Sequence, residues 1–168
     1  MIRARKSGFT LIELLTVIAI IGVLLGLFLP VFAKARLQAK KVRAKTEARQ
    51  LEGAWKQYLM DYRAWPGSLG AGVQTMSLGM VNILRGIKST DNSRGTPFME
   101  FNNDSLDASS GAFVDPWGTP YNFIVDKNLP NSVTVGATPL NRNVAVWSSG
   151  PNKQNDNGTS DDQASWAR

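Results

Sequence analysis

An uncharged run of 20 residues near the amino terminus, residues 14–33, constrains this chain more than any other feature. A helix rises about 1.5 Å per residue, so the run covers about 30 Å, the thickness of the hydrocarbon core of a bilayer. The run therefore predicts a membrane-spanning helix. The basic residues before the run favour an orientation with residues 1–8 on the cytoplasmic side. Basic residues also follow the run, so charge indicates this orientation only weakly.

A single carboxylate stands directly before this run. Glu13 follows Gly8 by five residues, and a charged side chain in the bilayer costs roughly 2.5–3.5 kcal/mol or more. The dipole of a helix that begins at Phe9 offsets only about 0.3–1 kcal/mol of that cost. A free amine, created by cleavage between Gly8 and Phe9, would be a suitable positive partner. The alternatives are an uncleaved signal anchor and a secretory signal cleaved near Ala35.

The segment RKSGFTLIELLTVIAIIGVL combines a basic tail, Gly8, Phe9 and Glu13 with the apolar run. It resembles the leader of type IV prepilins and pseudopilins. The resemblance implies that a prepilin peptidase cleaves after Gly8 and methylates the new amino terminus at Phe9. It also implies that Glu13 pairs with the amine of a neighbouring subunit as that subunit joins a filament.

The composition argues against an enzyme. The 168 residues contain no cysteine and no histidine, which excludes thiolate metal sites, cysteine nucleophiles and serine–histidine relays. The net charge of +6 is concentrated near the amino terminus, because residues 34–63 hold nine basic and three acidic residues, whereas residues 64–168 hold seven and nine. We therefore expect no nucleic-acid partner.

The middle of the chain predicts a helix packed on a sheet. Residues 34–62 are rich in helix formers, and Trp65-Pro66-Gly67 ends the pattern. Apolar residues at spacings of three and four form one stripe, which should pack on a sheet: Ala44, Ala48, Leu51, Trp55, Tyr58, Leu59 and Tyr62. A short helix is predicted at residues 76–87, and short strands at residues 121–125, 132–137 and 143–147.

The expected fold is thus α+β, with a long N-terminal helix packed on a small antiparallel β-sheet and a loop-rich C-terminal region. Four segments are expected: a leader peptide at 1–8, a transmembrane and assembly helix at 9–33, an amphipathic stem helix at 34–62, and a periplasmic head at 63–168. Six basic residues and no acid lie in residues 34–45. They form either a solvated face or a contact with lipid headgroups or with acids of a neighbouring subunit.

Residues 113–126, FVDPWGTPYNFIVD, carry strong turn chemistry at Asp115-Pro116-Trp117-Gly118. The segment resembles one found in major pseudopilins of type II secretion. It predicts a turn with a packed tryptophan, and the alternative is a ligand-binding role.

Residues 146–166 follow a predicted strand and are rich in Asn, Asp and Gly, which supply the oxygen ligands that Ca²⁺ prefers. They resemble the carboxy-terminal calcium loop of major pseudopilins. The resemblance implies that Ser149 supplies a backbone carbonyl, and that Asn152, Asp161 and Asp162 supply side-chain oxygens, with Asp156 ranked below them. The alternative is an Asx-rich solvent loop that needs no ion.

The resemblance implies a structural subunit of a type II secretion pseudopilus. Such a subunit is anchored in the bacterial inner membrane with its head in the periplasm, and it assembles into a periplasmic filament that drives protein export. The implied partners are further copies of the chain, a prepilin peptidase, an inner-membrane platform protein with its assembly ATPase, a secretin, minor pseudopilins and membrane lipid. The alternatives are a type IV pilin for adhesion, motility or DNA uptake, and a membrane-anchored periplasmic ligand-binding domain that uses exposed tryptophans such as Trp65 or Trp166.

Overall fold

The computed structural model describes residues 9–128 and 131–167. Gly8 and the remainder of the predicted leader lie outside the described residues. Two compact units can be distinguished, with the boundary between Ala39 and Lys40, and each is described by itself.

One helix, α1 (Leu11–Tyr62), accounts for 52 residues and contributes to both units. It continues through Pro30 and ends at Tyr62, three residues before the predicted helix stop at Trp65. In the first unit, the large apolar side chains of the membrane-helix segment are exposed. A helix that is apolar on all sides and unburied by its own chain has the character of a membrane span.

In the second unit, α1 supplies one wall of the main hydrophobic core. Leu51 and Trp55 are fully buried, and Trp55 stacks on Phe123 of the sheet with ring centroids 5.1 Å apart. The predicted apolar stripe is confirmed at five positions that are buried: Ala44, Ala48, Leu51, Trp55 and Tyr58. Tyr62 is only partly buried against the same core.

Three positions on this helix differ from the predicted stripe, and one of them is Ala54, which is buried although the stripe did not include it. Leu59 is only half-buried, because it follows Tyr58 by one residue and is therefore turned about 100° away from the core. Glu52 is buried, although it is charged, because it lies beside Leu51 on the edge of the packed face.

The main sheet has four antiparallel strands in the order β1-β2-β5-β6. The strands are β1 (Gln74–Thr75), β2 (Asn122–Val125), β5 (Val144–Ser148) and β6 (Gln163–Ala164). A separate hairpin contains β3 (Val133–Val135) and β4 (Thr138–Leu140). All five residues of β5 are buried. The α+β prediction of a long helix on a small antiparallel sheet is thereby confirmed.

The sheet differs from its prediction in detail. The predicted strand at 132–137 belongs to the hairpin rather than to the main sheet. The predicted helix at 76–87 is shorter, as α2 (Leu78–Arg85). The helix does not include residue 76, because the Met76 amide donates to the carbonyl of Tyr121, directly before β2, at 2.8 Å. The helix ends at Gly86, which has a left-handed φ of 88°.

Candidate functional site

The beginning of α1 is held by a reciprocal hydrogen-bond pair between Thr10 and Glu13. Both the backbone amide and the hydroxyl of Thr10 donate to Glu13 Oε2, at 2.8 and 2.7 Å, and the Glu13 amide donates to Thr10 Oγ1 at 3.3 Å. This is a capping box, in which two otherwise unpaired donors at a helix start are satisfied. Within one chain, the Glu13 carboxylate therefore already has polar partners, which the sequence analysis did not anticipate.

Phe9 precedes the helix and is 77% exposed, whereas Gly8, the residue on the other side of the predicted cleavage point, lies outside the described residues. By length and composition, α1 is long and apolar enough to cross a membrane. A Cβ at Gly22 or Gly26 would contact no atom within 4 Å, so packing within the described chain does not explain either glycine. The roles of Phe9 and Glu13 in processing and assembly stay predictions.

Asp115 and its neighbours form the predicted turn. The Gly118 amide donates to the Asp115 carbonyl at 2.9 Å, and Gly118 has a left-handed φ of 84°. The Asp115 side chain is buried, and its Oδ1 accepts from the amides of Trp117 at 2.9 Å and Thr119 at 3.0 Å. Trp117 itself is half-buried. The segment thus forms a closed turn around an aspartate.

The loop after β5, residues 149–162, brings three carboxylates together. One oxygen from each of Asp156, Asp161 and Asp162 lies within 4.8 Å of the others. The sequence ranked Asp156 below the other two, but the structure places it in the same cluster. We call these three residues the acidic cluster.

Asp162 has the most unusual surroundings of the three. Its Oδ2 accepts from the amides of Asp156 at 3.0 Å and Gly158 at 2.8 Å. Its Oδ1 is buried and has no hydrogen-bond partner among the described residues. Burial, together with the nearby carboxylates of Asp156 and Asp161, raises the pKa of Asp162 to about 6. A buried carboxylate oxygen without a partner, beside two further carboxylates, is a poor arrangement for a chain without a counter-ion.

The other two predicted ligands are placed differently. Asn152 Nδ2 donates to Asp156 Oδ2 at 3.0 Å, and its Oδ1 accepts from the Gln154 amide at 2.7 Å. The side chain of Asn152 thus presents nitrogen, not oxygen, to the cluster. Ser149 is buried, and its hydroxyl accepts from Asn122 Nδ2 at 3.0 Å.

The donor set fits a hard cation. Ca²⁺ takes six to eight oxygen ligands from carboxylates, carbonyls and water, in flexible geometry. Three carboxylates on a short loop supply the negative charge, and the unpaired Oδ1 of Asp162 is a ready ligand. Whether Asn152 and Ser149 join them stays a prediction.

The two tryptophans considered as exposed ligand-binding residues are not exposed, which corrects that expectation. Trp65 is half-buried, packs edge-on against Trp55, and donates to the Asp126 carbonyl at 2.7 Å. Trp166 is half-buried and lies edge-on to Trp147, with ring centroids 5.9 Å apart. Both indole rings therefore contribute to packing within the head.

The stem also bonds to Ser165 and Ala167, a contact that the sequence did not predict. The Arg49 guanidinium donates to the carbonyls of Ser165 at 3.3 Å and Ala167 at 2.9 Å. Buried Glu52 pairs with Lys56 at 2.6 Å and with Arg142 at 3.1 Å, and the Arg142 guanidinium lies 5.9 Å from the Trp166 ring centre. The i,i+4 spacing of Glu52 and Lys56 was readable from the sequence.

Comparison with known proteins shows which family the sequence resembles. A family model described as a prokaryotic N-terminal methylation motif matches residues 3–29. That motif, an apolar helix and a small antiparallel sheet together define the type IV pilin-like class of proteins.

The type II secretion system core protein G of Pseudomonas aeruginosa is 31% identical to this chain over 122 residues, which cover 73% of the chain and 75% of the relative. The chain therefore belongs to the family of type II secretion system core protein G. The protein of the same name from Klebsiella pneumoniae is 26% identical over 125 residues, covering 71% and 75%. A fimbrial protein of Neisseria meningitidis is 38% identical over 73 residues, covering 43% of each chain. No solved structure matched the chain.

Proposed function

We propose that this chain is the structural subunit of a type II secretion pseudopilus, a periplasmic filament that drives protein export. The single observation that carries the proposal is the similarity to type II secretion core protein G, which extends over about three quarters of both chains. The fimbrial relative matches only 43% of the chain, so the type IV pilin alternative has less support. In this account the chain is not an enzyme.

The amino-terminal segment supports a filament subunit. The apolar side chains of α1 in the first unit are exposed in the single chain, so lipid, or other copies of the chain, would have to cover them. In this proposal the subunit is anchored in the inner membrane, with its head in the periplasm. A peptidase, a platform protein with its ATPase, a secretin and minor pseudopilins would act on it or assemble with it.

Glu13 is proposed to guide assembly by pairing with the amine of Phe9 in a neighbouring copy. The capping box holds the carboxylate at the helix start through Thr10. The Thr10 donors carry no net charge, so a cationic amine would add a Coulombic attraction to the carboxylate that the capping box does not supply.

Two variants separate assembly from capping. Glu13→Gln keeps a side chain that can close a capping box but removes the charge, whereas Thr10→Ala removes the cap and keeps the charge. In the native host, the proposal predicts that Glu13→Gln inserts into the membrane but yields no filaments by electron microscopy, while Thr10→Ala still assembles. Normal filaments from Glu13→Gln would contradict the role given to this carboxylate.

The acidic cluster is proposed to bind Ca²⁺ in the head. Asp156, Asp161 and Asp162 would hold the ion, with Ser149 and Asn152 as further candidates. A bound divalent cation would offset the mutual repulsion of the carboxylates and give Asp162 Oδ1 a partner. The ion would thus be structural, linking the two ends of one loop.

A further inference from the structure

Asp115 uses its two carboxylate oxygens for different purposes. Oδ1 accepts the amides of Trp117 and Thr119 and so closes its own turn. Oδ2 accepts from the Ser148 hydroxyl, with 2.5 Å between the oxygens. The local turn does not need this second bond, which joins the turn to the last residue of β5.

The Ser148 hydroxyl, whose position is set by its bond to Asp115, also bonds to the backbone at the start of the loop. It donates its only proton to Asp115, so its lone pairs are free to accept the Gly150 amide, which lies at 3.0 Å. Ser148 is fully buried, and Ser149 is 2% exposed. The bond from Asn122 Nδ2 to Ser149 Oγ, at 3.0 Å, holds the residue between them.

Gly150 in turn contacts the acidic cluster. A Cβ at position 150 would lie 2.4 Å from the Asp161 carbonyl oxygen and 3.1 Å from Asp161 Oδ2, so the Gly150 backbone packs directly against Asp161. Two residues further on, the Asn152 amide donates to Asp161 Oδ2 at 3.0 Å. The backbone of residues 150–152 therefore defines where this carboxylate lies.

We propose that Asp115 is a positioning residue for the acidic cluster: through Ser148 it fixes the backbone at Gly150, against which Asp161 is placed. This inference rests on the proposed binding of Ca²⁺ by the cluster. That binding is supported by more than the number of acids, because Asp162 is 92% buried with its Oδ1 unpaired among the described residues. The turn at residues 115–118 thus helps to position the loop as well as its own residues.

The test measures Ca²⁺ affinity by calorimetry on the full chain in detergent micelles. Asp115→Asn removes the carboxylate, and Ser148→Ala removes the link but keeps the charge of Asp115. Asp107→Asn is the matched control, because Asp107 also closes a turn, with Ser109 and Ser110, but its side chain bonds to no loop residue in the part of the chain that the structure describes. We expect Asp115→Asn and Ser148→Ala to weaken Ca²⁺ binding about 10- to 100-fold, and Asp107→Asn by no more than about twofold.

A second measurement separates positioning from a general loss of stability. Hydrogen exchange at the Gly150 amide, recorded in chelator, should speed up in Ser148→Ala while exchange in the α1 core stays unchanged. If the wild-type chain does not bind Ca²⁺, the calcium proposal and this one both fail. If the wild type binds and Ser148→Ala binds equally tightly, only the positioning role is overturned, and an equal loss in Asp107→Asn would overturn it too. Should Asp115→Asn not fold, Ser148→Ala decides the question.

Discussion

At the scale of single residues, the path of the oxygen-rich loop at residues 149–162 depends on left-handed backbone conformations at Lys153, Asn157 and Ser160 as well as at its glycines. Lysine and serine rarely adopt φ > 0, so nothing in their identity signals these turns. The gathering of Asp156 with the other carboxylates follows from that path.

The capping box at the start of α1 is a different case, because its signal was present. Thr10 and Glu13 form the T-x-x-E pattern that precedes many helices. The charge of Glu13 predicts that it has a partner but not which one, and the structure shows a local partner, Thr10, three residues away. Both uses of the carboxylate are compatible with its two oxygens.

Gly150 provides a prediction at this scale. Gly150→Ala would place a methyl group 2.4 Å from a backbone oxygen of Asp161 at a φ of +65°. Gly72→Ala is the matched control, because Gly72 also has a positive φ, of +78°, but its Cβ would meet nothing within 4 Å. Backbone strain should cost each variant about 1–3 kcal/mol in the free energy of unfolding, measured with urea.

The Gly150 variant should lose clearly more stability than the control, because the Asp161 backbone must also move. It should lose Ca²⁺ affinity as well, which Gly72→Ala should retain. Equal losses of stability in both variants, with Ca²⁺ affinity unchanged, would show that the close contact with Asp161 is unimportant.

At the scale of elements, the long patterns were readable and the short ones were not. The 52-residue helix and its buried stripe follow from helix-forming composition and a spacing of three and four. Strands β1 and β6 have two residues each, too few for any alternation of apolar and polar residues. Their place in the sheet is set by tertiary pairing with β2 and β5.

Buried Glu52 of α1 gives a prediction for this element. Its carboxylate joins the helix to Arg142, which precedes β5. Glu52→Gln should lower the free energy of unfolding by about 1–3 kcal/mol, because hydrogen bonds to charged groups are lost in a buried position. Asp61→Asn is the control, since Asp61 is 34% exposed in its pair with Arg94, against 9% for Glu52 in its pair with Arg142, and should contribute less than about 1 kcal/mol. Similar losses in urea unfolding would contradict this ranking.

At the scale of the whole molecule, the chain combines an apolar helix, which its own residues leave uncovered, with a head that has its own core. The fold class was predictable from the contrast between the long helical segment and the short strand-forming segments of the head. The division into a main sheet and a separate hairpin was not, because it depends on which strand edges meet.

Calcium gives a prediction for the head. A cation that binds only the folded state stabilises it by about 2.7 kcal/mol at a concentration of 100 times its Kd. Adding a chelator to the full chain in detergent should therefore lower the melting temperature of the head by several degrees, and excess Ca²⁺ should restore it. Asp162→Asn should melt at the same temperature with and without chelator. A wild-type melting temperature that is the same with and without chelator would contradict the calcium proposal.

The mass of the intact chain, purified from the membranes of its native host, tests the central claim most directly. If the chain is a processed filament subunit, the spectrum should show residues 9–168 with one methyl group on the amine of Phe9. The loss of residues 1–8 would create the amine on Phe9 that Glu13 of another copy is proposed to bind. A chain that retains Met1, or one cut near Ala35, would contradict the account.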